Sequence, residues 1–178
     1  HDSVSFAIVA SGPNGSSPHH EASERTIRSG EPVVVDFGGR VHGYGSDTTR
    51  VYCVGDPPDG YEDAYAVLLA AQKAAVAAVR PGVTAGSIDT AARTVIDEAG
   101  YGEFFIHRTG HGIGLDAHEQ PYLVEGNDQM IEAGMAFSIE PGIYVPDRWG
   151  MRIEDIVVAT KDGVERLNRS TRAIRFVD

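Results

Sequence analysis

The chain has 178 residues, with 15 basic and 26 acidic side chains, and its net charge of −11 opposes a nucleic-acid groove or an anionic membrane surface as partner. A single cysteine, Cys53, excludes a disulfide within the chain, and the sequence shows neither a signal-type segment nor an apolar run of membrane length. These features fit a cytoplasmic enzyme of one domain, residues 1–178, long enough to bury a proper core. The chain opens almost directly on a strand-like segment, which leaves room for a targeting segment already removed. Part of the acidic excess suits a cation site that bound metal ions would neutralise.

In chain order, Val4 to Ala10 reads as a strand, broken by Ser11-Gly12-Pro13-Asn14-Gly15, and His19-His20 follow Pro18 in an irregular stretch. Val33-Val34-Val35-Asp36-Phe37 is a second, buried strand, and a carboxylate inside it is costly unless paired, hydrogen-bonded or bound to metal. Gly38-Gly39 turns the chain, and Asp47 enters a further strand, Thr48 to Val54, in which Cys53 is a buried and inert thiol. A hairpin turning between Asp36 and Asp47 would bring the two carboxylates together. Asp56 to Gly60 precedes an alanine-rich helix, Tyr61 to Arg80, stopped by Pro81-Gly82. A second helix runs from about Ala85 to Ala99, with Ile88, Ala91, Ala92, Val95, Ile96 and Ala99 expected on one buried face and Gly100 beyond its end. Phe104-Phe105-Ile106 is expected as a strand leading into residues 107 to 121. Met135 to Glu140, ended by Pro141-Gly142, and Met151 to Val158 are two more strands, and Glu165 to Asp178 closes the chain.

Three of the seven histidines, His107, His111 and His118, fall within residues 107 to 121. A helix would set His107 and His111 on one face, but Gly110, Gly112 and Gly114 argue for an extended or looped backbone. Alone, that stretch is equally a glycine-rich turn with surface histidines. Strand-associated Asp36, Asp47, Glu140 and Glu154 change the balance, since four carboxylates can hold two divalent cations about 3.5–4 Å apart. Oxygen-rich ligation with one imidazole suits manganese, cobalt, iron or zinc. Taken singly, the aspartates are also turn caps and the glutamates solvated strand ends. The order strand, glycine break, carboxylate-bearing hairpin occurs twice, which predicts an internal duplication. No helix pair precedes Val4 as residues 61 to 99 precede the second half, so a fragment lacking such a pair is expected.

The motifs Val35-Asp36-Phe37-Gly38, Ser46-Asp47-Thr48-Thr49-Arg50, Gly110-His111-Gly112-Ile113-Gly114 with Ala117-His118-Glu119, Ser138-Ile139-Glu140-Pro141-Gly142 and Arg152-Ile153-Glu154-Asp155 resemble, in order, those of the pita-bread metallopeptidases. Arg152-Ile153-Glu154-Asp155 is similar to the proline-specific branch, prolidase and aminopeptidase P. The resemblance implies an α+β pita-bread (creatinase/aminopeptidase) fold with a pseudo-two-fold duplication, here truncated at its N-terminus. It implies Asp36, Asp47, His111, Glu140 and Glu154 as ligands of two divalent ions, manganese first and cobalt, zinc or iron as alternatives, with Asp47 and Glu154 bridging. It implies hydrolysis, by a metal-bridging hydroxide, of the Xaa-Pro bond at the N-terminus of peptides or in dipeptides. Glu140 would then move the proton, His118 would donate to the oxyanion, His19 and His107 would orient the peptide, and Arg152 would fix the carboxylates. The implied partners are a peptide with proline at its second position and, at full length, a second copy in a homodimer.

Two departures stand out. The N-terminal domain usual in the proline-specific enzymes is absent from residues 1–178, and Tyr122 stands where some prolidases place an arginine that holds the dipeptide carboxylate. A metal-free creatinase-like hydrolase and a non-catalytic binding module on the same fold are the alternatives, and five intact ligand positions oppose both. The Gly-x-Ser-x-Gly elbow of serine hydrolases is missing. Trp149 either lines the pocket or covers the hairpin, with the second reading favoured.

Overall fold

β-Branched and aromatic residues recur through the first third of the chain, and they form an antiparallel meander. In the computed structural model, which describes residues 1–177, β1 (Ser3–Ser11), β2 (Glu31–Val41) and β3 (Tyr44–Val54) lie side by side. The β2–β3 turn is His42-Gly43, with φ of 51° and 85°, the left-handed pair that a two-residue hairpin requires. Gly38-Gly39 therefore does not turn the chain. Both glycines stay inside β2, where a Cβ on Gly38 would lie 2.4 Å from the Ser46 carbonyl oxygen. They serve close strand approach instead.

Between the two β regions stand α1 (Tyr61–Ala78) and α2 (Ala85–Glu98). Thr84 caps α2 by accepting a hydrogen bond from the Ser87 amide at 3.2 Å, and Gly100, with φ 82°, ends it. Ile88, Ala92 and Ile96 are fully buried, in one core with Leu68 and Ala71 of α1 and with Phe137, Ile143 and Met151 from the second half. No helix among the described residues is long and apolar enough to cross a membrane.

The second half contains β4 (Gly110–Gly112), β5 (Glu119–Leu123), β6 (Ala136–Ile139), β7 (Gly142–Val145), β8 (Trp149–Arg152), β9 (Asp155–Thr160) and β10 (Gly163–Arg166). Its sheet has the order β10-β9-β6-β4-β5, while β7 and β8 form a separate hairpin. Finally β11 (Arg175–Val177) returns to the first sheet, parallel to β3. The two halves repeat one order, β1-β2-β3 in the first and β4-β6-β9 in the second. This is the anticipated duplication, with the helix pair between its halves.

Two strands differ from expectation. Phe104-Phe105-Ile106 is not a strand, because Gly102–Phe104 forms a 3-10 turn and Arg93 satisfies the following carbonyls. Its guanidinium donates to the Phe105 and His107 carbonyls at 3.1 and 3.0 Å and lies 4.2 Å from the centre of the Phe105 ring. Met151 to Val158 is broken at Ile153-Glu154, so Glu154 lies between β8 and β9 rather than within a strand. The break has a clear cause. Ile139 pairs with Asp155 and Gly142 with Arg152, so both ladders keep one register in which Glu140 falls opposite Glu154. Pro141 has no amide hydrogen, and the neighbouring amides are redirected outward: Glu140 donates to the Thr109 carbonyl at 2.8 Å and Glu154 to that of Thr49 at 3.3 Å.

The same region is pinned by Asp155, which is fully buried and accepts from Arg50 at 2.6 Å and from Gln72 of α1 at 3.2 Å. Arg50 also donates to the Glu154 carbonyl at 2.6 Å. Replacing Asp155 with alanine leaves the buried Arg50 guanidinium without its counter-charge. The expected loss is about 3–5 kcal/mol in chemical denaturation, and a change under 1 kcal/mol would show that the pair does not fasten β3, β9 and α1 together.

Candidate metal centre

Asp36 sits opposite Thr49 and Asp47 opposite Gly38 in the β2–β3 ladder, so the two carboxylates are diagonal neighbours on one face. His111 is the middle residue of the short β4, and Glu140 and Glu154 project from the break in the second hairpin. One ligand atom each from Asp47, His111 and Glu154 lies within 4.8 Å of the others. His111 Nε2 is 3.2 Å from Glu140 Oε1. Asp36, Asp47, His111, Glu140 and Glu154 together line a cavity of about 260 Å³, which His19, His118, Arg152 and the apolar Phe6 and Ile8 complete. A larger cavity of about 440 Å³ shares His19, His111, His118, Glu140 and Arg152, and adds His107, Arg108 and Tyr122. All of the site residues anticipated from the sequence thus line one or both cavities.

The donor set fits cations on its own evidence. Asp36 Oδ1 and Asp47 Oδ1 are buried with no hydrogen-bond partner, a costly state for a carboxylate unless a cation completes it. Burial, with the Asp36 and Glu140 charges beside it, pushes Asp47 up to about 8. Burial raises Glu140 to about 7, and burial with its carboxylate neighbours lifts Glu154 well above the usual range. Burial lowers His111 to about 4, so its imidazole is neutral. Its Nδ1 lies 3.0 Å from the Gly112 carbonyl and donates there, which leaves the Nε2 lone pair facing Glu140 Oε1. A lone pair facing a carboxylate oxygen is favourable only with a proton or a cation between them.

Arg152 is the group that holds the cavity's shape. Its Nη2 donates to Asp36 Oδ2 at 2.5 Å, its Nε to Thr49 Oγ1 at 3.1 Å and its Nη1 to the Tyr144 hydroxyl at 2.7 Å. Thr49 in turn donates to Glu154 Oε2 at 2.7 Å. The Tyr144 hydroxyl passes its hydrogen to His107 Nε2 at 2.9 Å, while His107 Nδ1 donates to the Arg108 carbonyl at 2.7 Å. Each donor then meets one acceptor, which fixes His107 as the neutral Nδ1–H tautomer. Burial lowers its proton affinity to about 4, in agreement. Both His107 nitrogens are engaged within the protein, and through Nε2 the ring holds the Tyr144 hydroxyl in place on the cavity wall. His118 packs edge-on against His111, with ring centres 4.1 Å apart. His19 follows Pro18, whose carbonyl accepts from Arg152 at 3.3 Å.

Sequence reasoning passed over Thr49, Ser138, Tyr144 and Arg108. Thr49 and Ser138 carried a usable signal, since each lies two residues from a ligand position on the same strand face. Ser138 Oγ donates to Glu140 Oε1 at 2.9 Å and accepts from the His111 amide at 3.0 Å. Tyr144 carried none short of the β7–β8 register. Trp149 is 4% exposed and stands edge-on to Tyr61 at 5.0 Å, so it covers the hairpin rather than lining a cavity.

Comparison with known proteins agrees with this geometry. Residues 1–161 match metallopeptidase family M24. The chain is 57% identical over 169 residues to the probable dipeptidase PepE of Mycobacterium tuberculosis, covering 94% of this chain and 45% of that protein. It is 46% identical over 170 residues to the Xaa-Pro dipeptidase of Lactobacillus delbrueckii subsp. lactis, covering 96% and 46%. Among solved structures, dipeptidase PepE from Mycobacterium ulcerans matches with a TM-score of 0.97 at 55% identity, over 99% of this chain and 48% of that one. X-Pro aminopeptidase from Thermotoga maritima matches at 0.95 and 41% identity, over 98% and 50%. The chain spans about half the length of the relatives it matches. With its carboxylates and histidine gathered where two repeated strand units meet, the chain belongs to metallopeptidase family M24 and has the pita-bread fold.

Proposed function

We propose that this chain supplies the catalytic site of a dinuclear metallo-exopeptidase that hydrolyses the Xaa-Pro bond at the N-terminus of peptides or in dipeptides. The observation that carries this reading is the convergence of Asp36, Asp47, His111, Glu140 and Glu154 on one cavity with two buried carboxylate oxygens unpartnered. Relatives named Xaa-Pro dipeptidase support the substrate class. Asp36, Asp47, His111, Glu140 and Glu154 would hold two divalent ions, with manganese the first candidate and cobalt, zinc or iron the others. Bound there, the ions would supply an activated water at neutral pH and polarise the scissile carbonyl. Glu140, hydrogen-bonded by Ser138 beside His111, would hold the proton given up by the attacking water and return it to the leaving amine. His118, on the cavity wall and neutral at physiological pH, donates to the developing oxyanion. His19 orients the peptide, and Arg152 with Thr49 keeps Asp36 and Glu154 aimed at the ions. Tyr122 and Val124 give the larger cavity an apolar wall that suits a pyrrolidine ring. The free, buried Cys53 suits a reducing compartment such as the cytoplasm.

Removing Glu154 tests the scheme directly. The Glu154→Ala variant is expected to lose hydrolysis of alanyl-proline on the order of 100-fold or more, together with bound metal measured by mass spectrometry. Undiminished turnover would overturn the assignment of Glu154 as a ligand.

Metal removal has a second consequence, in stability against pH. Without cations, Asp47 and Glu140 bind a proton more tightly folded than unfolded, so their stabilising effect is full at low pH and is lost as pH rises toward about 8 and about 7. His107 and His111 act in the opposite sense, because held near 4 they resist protonation and destabilise the fold only below their ordinary 6.5. Between pH 6.5 and 8 the carboxylates act alone. The chelated protein is therefore expected to melt at progressively lower temperature across that window, and added divalent ions should abolish the decline. A melting temperature that rises with pH in chelator would contradict the crowding of unpaired carboxylates.

A further inference from the structure

Asp89 of α2 is fully buried, yet it is not among the ligands of the metal centre. Its carboxylate accepts from Arg93 Nε and Nη2, both at 3.1 Å, and from the Thr109 amide and hydroxyl at 3.1 and 2.7 Å. Arg93 also donates to the Phe105 and His107 carbonyls. Residues 105–109 belong to no strand, so α2 supplies partners that their backbone has no ladder to provide. Thr109 carries that fixation to the cavity. Its carbonyl accepts from the Glu140 amide at 2.8 Å, and His111, two residues on, has Nε2 3.2 Å from Glu140 Oε1. A buried ion pair is a weak source of stability, because apolar groups of like volume serve as well. What Asp89 and Arg93 add is direction, since their partners are the backbone that leads into His111 and anchors Glu140.

We infer that Thr109, held by the Asp89–Arg93 pair, is a positioning residue that sets the separation of His111 and Glu140. The inference rests on the metallopeptidase reading of the site and adds a determinant outside its ligands. An apolar side chain of the same volume at position 109 would lose the hydroxyl bond to Asp89. Only the amide would remain there, and it is shared with the Leu123 carbonyl at 2.9 Å. The Thr109 carbonyl moves with its peptide, and the Glu140 amide moves with that carbonyl. Metal–ligand distances hold to within about 0.2 Å, so a shift too small to disturb the core is large for a bound ion. Ser138 ties the same two ligands from β6, donating to Glu140 Oε1 and accepting from the His111 amide. The pair is thus gripped from the helix and from the sheet.

The test titrates cobalt(II) into wild type and variants, reading affinity by calorimetry and ligand geometry by visible absorption. Turnover of alanyl-proline is measured beside it at saturating metal. Thr109→Val should weaken cobalt binding on the order of 10-fold, alter the absorption band and lower kcat with KM unchanged. Thr109→Ser, which regains the hydroxyl, should restore all three. Asp89→Asn should act in the direction of Thr109→Val with a larger fall in melting temperature. Ile96→Val, a core variant on the same helix, supplies a loss of melting temperature for comparison and should leave cobalt binding, absorption and kcat at wild-type values. Wild-type cobalt affinity and absorption in Thr109→Val, or equal changes in Ile96→Val, would overturn the assignment. Should wild type leave alanyl-proline intact while its cobalt spectrum depends on Thr109, the Xaa-Pro reading falls and the positioning role stands. Cleavage of alanyl-proline with cobalt binding indifferent to Thr109→Val has the reverse meaning.

Discussion

Everything at the centre of this molecule follows from placing Asp36, Asp47, Glu140 and Glu154 out of water around a single guanidinium, that of Arg152. Burial and mutual repulsion oppose the ionised form of each acid, and one cation cannot offset them all. Two of their oxygens have no donor at all. A protein of this size tolerates such a cluster only where the surrounding structure dictates it and where something else completes it. The well-packed core beneath, from Leu68 and Ile88 to Phe137 and Met151, is what makes the arrangement affordable in structural terms.

The placement itself comes from a fault in a β-ladder. Continued without interruption, the β6–β9 and β7–β8 pairings would form one long hairpin, with Glu140 and Glu154 on opposite strands of it. Pro141 removes a donor at that point, and the amides of Glu140 and Glu154 turn to Thr109 and Thr49. The second half thereby hands its carboxylates to the first half, whose Asp36 and Asp47 project from an unbroken ladder. Arg152, at the last position of β8, spans the same junction through Asp36 and Thr49. The cavity is a product of the contact between the duplicated units rather than of either alone.

Much of this was legible in the residues. A carboxylate inside the apolar run 33–37 has few physical excuses, and Asp47 follows at a spacing that any tight hairpin brings close. Helix content followed from composition and caps, and α1 and α2 end within two residues of their expected limits. The failures share a cause. Gly38-Gly39 looked like a turn because glycine signals both reversal and close approach, and only the neighbour at 2.4 Å decides which. Phe104 to Ile106 looked like a strand because apolar runs suit either a ladder or a packed loop, and Arg93 decided for the loop. Tyr144 was invisible because its role depends on the β7–β8 register and on a contact with His107, which is remote in the chain.

Charge accounting separates the two arginines of the cavity. Two divalent ions would balance the four carboxylates already, and Arg152 has its donors committed to oxygens of the protein. Among the described residues Arg108 makes no such commitment: it stands at the wall of the larger cavity against the Tyr122 ring, and from there its charge opposes part of the burial cost of the Glu140 carboxylate.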